Sequence, residues 1–264
     1  MNWMFYLKTT ETCNLNCKHC FTSGSNGPKV YWNPDKTIKW LQNFRKYNFH
    51  KHDTAHLELH GGEPFLVPVS EMQYVYENTK DLWIQQSMGI TSNLTFKLKQ
   101  EHIDFIKGPL KNRCGTSWDP NIRFANEKQA NLWRKNVETL ISEGVDIKLF
   151  ISVTKDTIRI ELLKWVKDLG VKEMAFERLT GNGNANLHPE IFPRNIEQDK
   201  WFLKMHEQSI QYNTRDWFDN EFFETTYSKF DTGSTKEGTF CRDCEQKLFT
   251  LNATGTIGGC PNAA

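Results

Sequence analysis

The chain has 264 residues, 38% of them hydrophobic and including 18 Phe, 9 Trp and 7 Tyr, enough apolar material for one large domain with a small appendage. Its 33 Lys and Arg against 32 Asp and Glu leave a formal net charge of +1, which excludes a global field as the means of holding nucleic acid or a membrane surface. No apolar run approaches the ~18 residues that span a bilayer, and MNWMFYLKTTETC lacks the basic region and apolar core of a secretory signal, so the sequence reads as a cytoplasmic protein without a membrane partner.

In chain order, Ile38, Leu41, Phe44 and Tyr47 recur at helical spacing between Asp35 and Phe49, which predicts an amphipathic helix. His56 to His60 alternates, with Leu57 and Leu59 opposite His56, Glu58 and His60, and predicts a strand. Ser70 can cap a helix running to about Ile84, Met88 to Thr91 reads as a strand, and Lys97 to Ile106 as a helix. Then follow a strand from Gly115 to Asp119, a helix from Asn126 to Glu143 closed by Gly144, a strand from Ile147 to Thr154, a helix from Ile160 to Leu169 closed by Gly170, and a strand from Glu173 to Leu179. Strands alternating with helices imply right-handed crossovers and a parallel sheet, either open or barrel-like, with ligands at the C-terminal strand ends. The Gly-, Asn- and Pro-rich stretch Thr180 to Arg194 reads as a linker and domain boundary, followed by a helix from about Ile196 to Tyr212.

Seven cysteines stand at 13, 17, 20, 114, 241, 244 and 260, an odd count grouped at the two ends and a poor disulfide framework. In a reducing compartment such groups more often bind metal or do chemistry. Cys13, Cys17 and Cys20 offer three thiolates within eight residues, enough to wrap a loop around an iron-sulfur cube but one ligand short of four. An iron without a protein thiolate can take a small molecule as its remaining ligand. A zinc site, or an electron-transfer cluster with a distant fourth cysteine, is the alternative. Gly61-Gly62-Glu63-Pro64 follows the His56 to His60 strand directly. Its glycines permit close backbone approach to a ligand, and its carboxylate complements an ammonium; a tight turn with a solvated Glu is the plainer explanation.

Cys13-x3-Cys17-x2-Cys20, with aromatic His19 just before the third cysteine, and the Gly-Gly-Glu-Pro segment together resemble the radical S-adenosylmethionine superfamily over about residues 5 to 180. The resemblance implies an α/β fold built on a partial (β/α)6 parallel barrel, and a [4Fe-4S] cluster held by Cys13, Cys17 and Cys20. It also implies S-adenosylmethionine chelated to the remaining iron, Gly61, Gly62, Glu63 and Pro64 at the methionine amino group, and His19 near the adenine. Thr91-Ser92-Asn93 and Thr116-Ser117-Trp118-Asp119 match strand-end segments where polar side chains such as Asn93 and Ser117 meet ribose or carboxylate, although capping and turn chemistry favour the same residue types. Ser152 and Thr154 are weaker members of the same set.

Cys241-x2-Cys244 and Cys260, with Asn252-Ala253-Thr254-Gly255 as a hairpin turn between them, resemble the opening half of the SPASM or Twitch extension, which carries auxiliary iron-sulfur clusters. Three local ligands suffice for one auxiliary cluster at most, and zinc is the alternative there. The domain division read from this is 1–180 as the core, 181–240 as linker and helical connection, and 241–264 as the auxiliary segment. Cys114 reads as a packed thiol, His50, His52, His56 and His60 as surface or packed histidines, and the aromatic stretch 217–230 as packing.

The function so implied is reductive cleavage of S-adenosylmethionine to a 5′-deoxyadenosyl radical that abstracts hydrogen from a peptide or protein, with an electron donor such as flavodoxin or ferredoxin. In sulfatase-maturing relatives an Asp follows the cysteine that Cys260 matches, and here Pro261 stands there, which argues against that specific activity. The alternatives are radical oxidation or rearrangement of a small molecule, such as a sugar, nucleoside or cofactor precursor, and an iron-sulfur or zinc binding protein without catalysis.

Overall fold

The structure, a computed structural model, describes residues 2–21, 24–48, 50–214 and 247–259. It opens on a strand that the sequence reading does not assign, β1 (Asn2–Thr10), in which Trp3, Phe5 and Leu7 are buried and alternate with less buried neighbours. Five βα pairs follow the first helix: α1 (Pro34–Tyr47), β2 (Thr54–Gly61), α2 (Val69–Thr79), β3 (Gln85–Ser92), α3 (Gln100–Lys107), β4 (Arg113–Ser117), α4 (Glu127–Ser142), β5 (Asp146–Val153), α5 (Leu162–Leu169), β6 (Glu173–Arg178) and α6 (Asn195–Gln211). Two further strands, β7 (Leu248–Leu251) and β8 (Ile257–Gly258), form an antiparallel hairpin.

The sheet order is β6-β5-β4-β3-β2-β1-β7-β8. Strands β1 to β6 are parallel to their neighbours, and β7 runs parallel to β1 on its free edge. Six parallel βα units in an open sheet make a partial (β/α)6 barrel, as expected. The expected hairpin also forms, and its turn is closed by Gly255 N–H donating to the Asn252 carbonyl at 2.8 Å.

Local chemistry explains most element ends. The Asn33 and Asn126 side chains cap α1 and α4 by accepting from Lys36 and Gln129 N–H, and Gly170 closes α5 with φ of +84°. Helix α2 departs from expectation at both ends: Pro68, not Ser70, stands at its start, and it stops at Thr79 rather than Ile84. Beyond Thr79 the Leu82 carbonyl is taken by Arg45 Nε at 2.7 Å and Trp83 turns into the core, which draws the chain out of the helix. Residues 180–194 do not hang away from the sheet; they include two 3-10 turns, Gly183–Leu187 and Pro189–Ile191, the second tied to the loop after β5 by Lys155 N–H donating to Ile191 O at 3.0 Å.

Beneath the helices lies one apolar core. Phe5 is fully buried and packs against Trp40, Phe44, Trp83 and Phe249, with ring centroids 5.1–5.9 Å apart, so the C-terminal hairpin shares this core with α1. The opposite face of each strand looks into the barrel and carries polar groups, among them Lys8, His56, Glu58, His60, Thr91, Lys148, Glu173 and Glu177, as the two-residue period of strands requires. Phe5→Ala should cost about 3–5 kcal/mol, read as a fall in the denaturant midpoint with an unchanged m-value.

Candidate functional site

Among the described residues, the motifs of the first cysteine loop, the glycine segment and the Ser and Asn strand ends fall at the C-terminal ends of parallel strands. The cysteine loop follows β1, Gly61-Gly62-Glu63-Pro64 follows β2, Ser92 and Asn93 end β3, and Ser117 ends β4. Cys13 and Cys20 are half-buried and Cys17 is buried, none of them in a disulfide. Burial pushes the Cys13 thiol up to about 11 and the Cys17 thiol up to about 12, the latter against the opposing pull of the Arg123 guanidinium. Cys13 Sγ accepts from Leu15 N–H at 3.4 Å and from Asn93 Nδ2 at 3.6 Å; Cys17 Sγ donates to the Arg123 carbonyl at 3.7 Å.

The glycine segment is pressed against the start of that loop. Gly62 N–H donates to Thr10 O at 2.8 Å and Glu63 N–H to Thr12 O at 2.9 Å. A Cβ on Gly61 would lie 2.2 Å from Thr10 O, and one on Gly62 2.0 Å from Thr12 O, while Gly61 itself has φ of +127°. Only glycine fits at either position.

Glu63 is fully buried. Its Oε1 accepts from Phe65 N–H at 3.0 Å and Ser92 Oγ at 2.8 Å, and its Oε2 from Asn93 N–H at 2.7 Å. A carboxylate offers about four acceptor positions, so these three bonds leave one on Oε2 for a further donor. Burial outweighs the hydrogen bonds and raises its pKa to about 7. Ser92 and Asn93 thus serve a turn and the carboxylate together: Leu94, fully buried at φ of +49°, is held by Ser92 Oγ accepting from its N–H and by Asn136 Nδ2 donating to its carbonyl.

His19 is tied to groups that sequence reasoning did not select. Asp119, fully buried, accepts from His19 Nε2 at 3.2 Å, from Arg123 Nε and Nη2 at 2.7 Å, and from Ser152 N–H at 2.6 Å. The Arg123 guanidinium and His19 hold the Asp119 carboxyl well below its usual range against the cost of burial, and Arg123 is itself shifted up by Asp119. Arg123 carries no motif; its only sequence signal is its place four residues after Asp119. Glu177 faces the same network from β6; it is solvent-accessible, and partial desolvation beside the barrel groups together with Asp119 raises its pKa.

Other expected residues part from this group. Thr154 Oγ1 accepts from Thr157 N–H and serves the turn that follows β5. Cys114 is buried in the core, with its pKa raised by burial. His50 and His52 are exposed, whereas His56 bonds Ser87 Oγ at 2.8 Å and Glu58 at 2.9 Å inside the barrel. His60 packs between Tyr6 and Phe21, with ring centroids at 5.6 and 5.9 Å, and burial lowers its pKa. Cys241, Cys244, Cys260 and the aromatic stretch 217–230 lie outside the described residues.

The donor set fits the groups that the resemblance implies. Three thiols line one loop, while no three His, Cys, Asp or Glu among the described residues converge as a single metal ion requires. Beside that loop, the Nδ1 atoms of His19 and His60 are buried without a hydrogen-bond partner. A buried imidazole nitrogen left so costs about 1–3 kcal/mol, which a bound polar ligand would recover.

The chain has the fold of the radical S-adenosylmethionine enzymes. Over its whole length it superposes on 75% of anSMEcpe, solved with bound AdoMet and the Cp18Cys peptide, with a TM-score of 0.76 at 14% sequence identity. It also superposes on 60% of Streptococcus suis SuiB, solved with its precursor peptide SuiA, with a TM-score of 0.68 at 11% identity. The Escherichia coli coproporphyrinogen III oxidase HemN, a radical SAM enzyme, matches 80% of this chain and 52% of its own, with a TM-score of 0.54 at 11% identity. No protein-family model matches the chain, and no curated protein matches it by sequence.

Two expectations follow for the cluster-free protein. Thiols held protonated react slowly, so alkylation of Cys13 and Cys17 by iodoacetamide should lag behind that of a small-molecule thiol at pH 7.5 and rise about tenfold per pH unit up to about pH 10, as read by peptide mass mapping. Glu63, raised from 4.5 to about 7, contributes stability that is fully present below pH 4.5 and is lost as pH rises through 7. The stability of Glu63→Gln relative to the wild type should therefore climb between those values in a denaturant series; a pH-independent difference would contradict the shift.

Proposed function

We propose that the chain is a radical S-adenosylmethionine enzyme that modifies a peptide or protein, with Cys13, Cys17 and Cys20 as the ligands of its reductive cluster. The observation that carries this reading is the joining of the cysteine loop to Gly61-Gly62-Glu63 by direct backbone contact at the strand ends. Cys13, Cys17 and Cys20 would hold a [4Fe-4S] cluster there, which would supply the electron for reductive cleavage of S-adenosylmethionine and so the radical chemistry on the substrate.

This chain's residues bind and orient. Cys13, Cys17 and Cys20 would be the thiolate donors, and three donors would leave the cluster one ligand short, open to a small molecule. Glu63, with its one remaining acceptor position, takes the methionine ammonium of S-adenosylmethionine, and Asn93 holds both Glu63 and Cys13. His19, fixed by Asp119 and Arg123, would meet the adenine, and Ser117 at the end of β4 would meet the ribose. Pro64 begins the short turn that buries Glu63.

A peptide or protein substrate is favoured because anSMEcpe and SuiB, both solved with peptides, superpose over essentially the whole chain, while HemN superposes less completely. The hairpin of β7 and β8, which in sequence lies between Cys244 and Cys260, supports an auxiliary iron-sulfur cluster on those cysteines and Cys241. A flavodoxin or ferredoxin is the class of electron donor such an enzyme uses, and a cytoplasmic setting keeps the thiols reduced.

Anaerobic reconstitution with iron and sulfide, followed by dithionite and S-adenosylmethionine, should yield 5′-deoxyadenosine on chromatography. Cys17→Ala should abolish it, whereas Cys260→Ala should keep it and lower the iron count from about eight to about four per chain. A correctly loaded wild type that forms no 5′-deoxyadenosine would remove the enzyme reading.

A further inference from the structure

The stretch after β6, which the sequence reading takes for a linker, closes over the cysteine loop. Asn184 N–H donates to Cys20 O at 2.8 Å. Asn184 Nδ2 donates to Cys17 O at 3.1 Å and to Asn16 Oδ1 at 3.2 Å. One residue, 167 positions along the chain from Cys17, thereby satisfies the backbone carbonyls of two of the three cysteines. Gly183 prepares the approach: its φ is +54°, and a Cβ there would lie 2.5 Å from Cys20 O and 2.6 Å from the Phe21 carbonyl. The loop end is turned by Cys20 N–H donating to Cys17 O at 3.1 Å, so Asn184 grips that turn from outside.

We propose that Asn184 is a positioning residue for the cluster: it fixes the Cys17–Cys20 turn and keeps the two carbonyl dipoles paired away from the cluster. The proposal rests on the reading that the three cysteines hold iron and sulfide. Asparagine suits the task because its amide carries two hydrogens in one plane, one for each acceptor, while its backbone N–H serves a third. An aspartate at 184 could donate to neither Cys17 O nor Asn16 Oδ1. It would also set an anion against a carbonyl beside the thiolates, and both changes stabilise the oxidised cluster, since hydrogen bonding and nearby charge set cluster potentials.

The test uses the full-length, anaerobically reconstituted protein and compares the wild type with Asn184→Ala, Asn184→Asp and, as a control in the same turn, Leu187→Ala, whose side chain is exposed. Two quantities are read: the rate of iron loss to a chelator, and the midpoint potential of the paramagnetic signal that S-adenosylmethionine perturbs. The cluster-free proteins are melted in parallel. Both Asn184 variants should lose iron roughly tenfold faster or more, the scale of second-layer ligand changes. Asn184→Asp should move the midpoint to a more negative value than Asn184→Ala, with Leu187→Ala matching the wild type in both. Iron retention and potential unchanged in the Asn184 variants would overturn the proposal, as would a change confined to the melting of the cluster-free proteins. A wild type that takes up no iron would overturn the cluster reading itself, a distinct result.

Discussion

The site depends on one constraint, the backbone-to-backbone contact of Gly61 and Gly62 with Thr10 to Thr12. Parallel pairing of β1 with β2 brings the two strand ends side by side, but each strand continues into a loop with its own preferences. The hydrogen bonds that Gly62 and Glu63 N–H donate to the Thr10 and Thr12 carbonyls lock those loops into one unit. That approach fixes where Cys13 begins relative to Glu63, and through Asn93, bonded to both, it fixes the end of β3 as well. Three strands are thereby registered at the point where chemistry is placed, and a side chain on either glycine would push them apart.

What the sequence discloses and what it conceals follow from the range of the interactions. The cysteine triad and the Gly-Gly-Glu-Pro segment are legible because their chemistry is local: spacing sets loop size, and glycine marks close approach. Most helices are legible because periodicity and caps such as Asn126 and Gly170 are local too. Strand β1 is less legible although Trp3, Phe5 and Leu7 alternate, because its place as the first strand of the barrel rests on pairing with β2, some fifty residues on. Asn184 cannot be found by spacing, and Arg123 only as a cation four residues after Asp119. Each acquires its role from residues more than a hundred positions away, Asn184 at the carbonyls of Cys17 and Cys20, Arg123 at His19 and Cys17.

The Arg123–Asp119–His19 group shows why a buried charge is tolerated here. Removing an ion pair from water costs several kcal/mol per ion, and a single hydrogen bond does not recover that. Asp119 receives both Arg123 donors, His19 and the Ser152 amide, so its burial is matched by four donors from three directions. The net contribution to stability is small by such an account, and the gain is geometric. Arg123 lowers the cost of a thiolate at Cys17 while holding His19, so the network joins Cys17 of the cysteine triad to His19.

The rest of the barrel interior is filled from below. Glu58 links His56 to Thr91, and Gly89 has no side chain because one would lie 2.2 Å from Glu58 Oε2. Phe150 likewise occupies the space over Gly115, where a Cβ would lie 2.9 Å from its ring. Nearer the bottom rim, Glu173 draws Arg113 and Lys148 together across β6, β4 and β5. Side chains bonded in this way leave little reason for a ligand to enter from the N-terminal side of the strands. At the other end, by contrast, Nδ1 of His19 and of His60 and the second oxygen of Glu63 retain hydrogen-bonding capacity. A ligand therefore has its way in over the C-terminal strand ends, along the open side of a barrel whose six strands do not close.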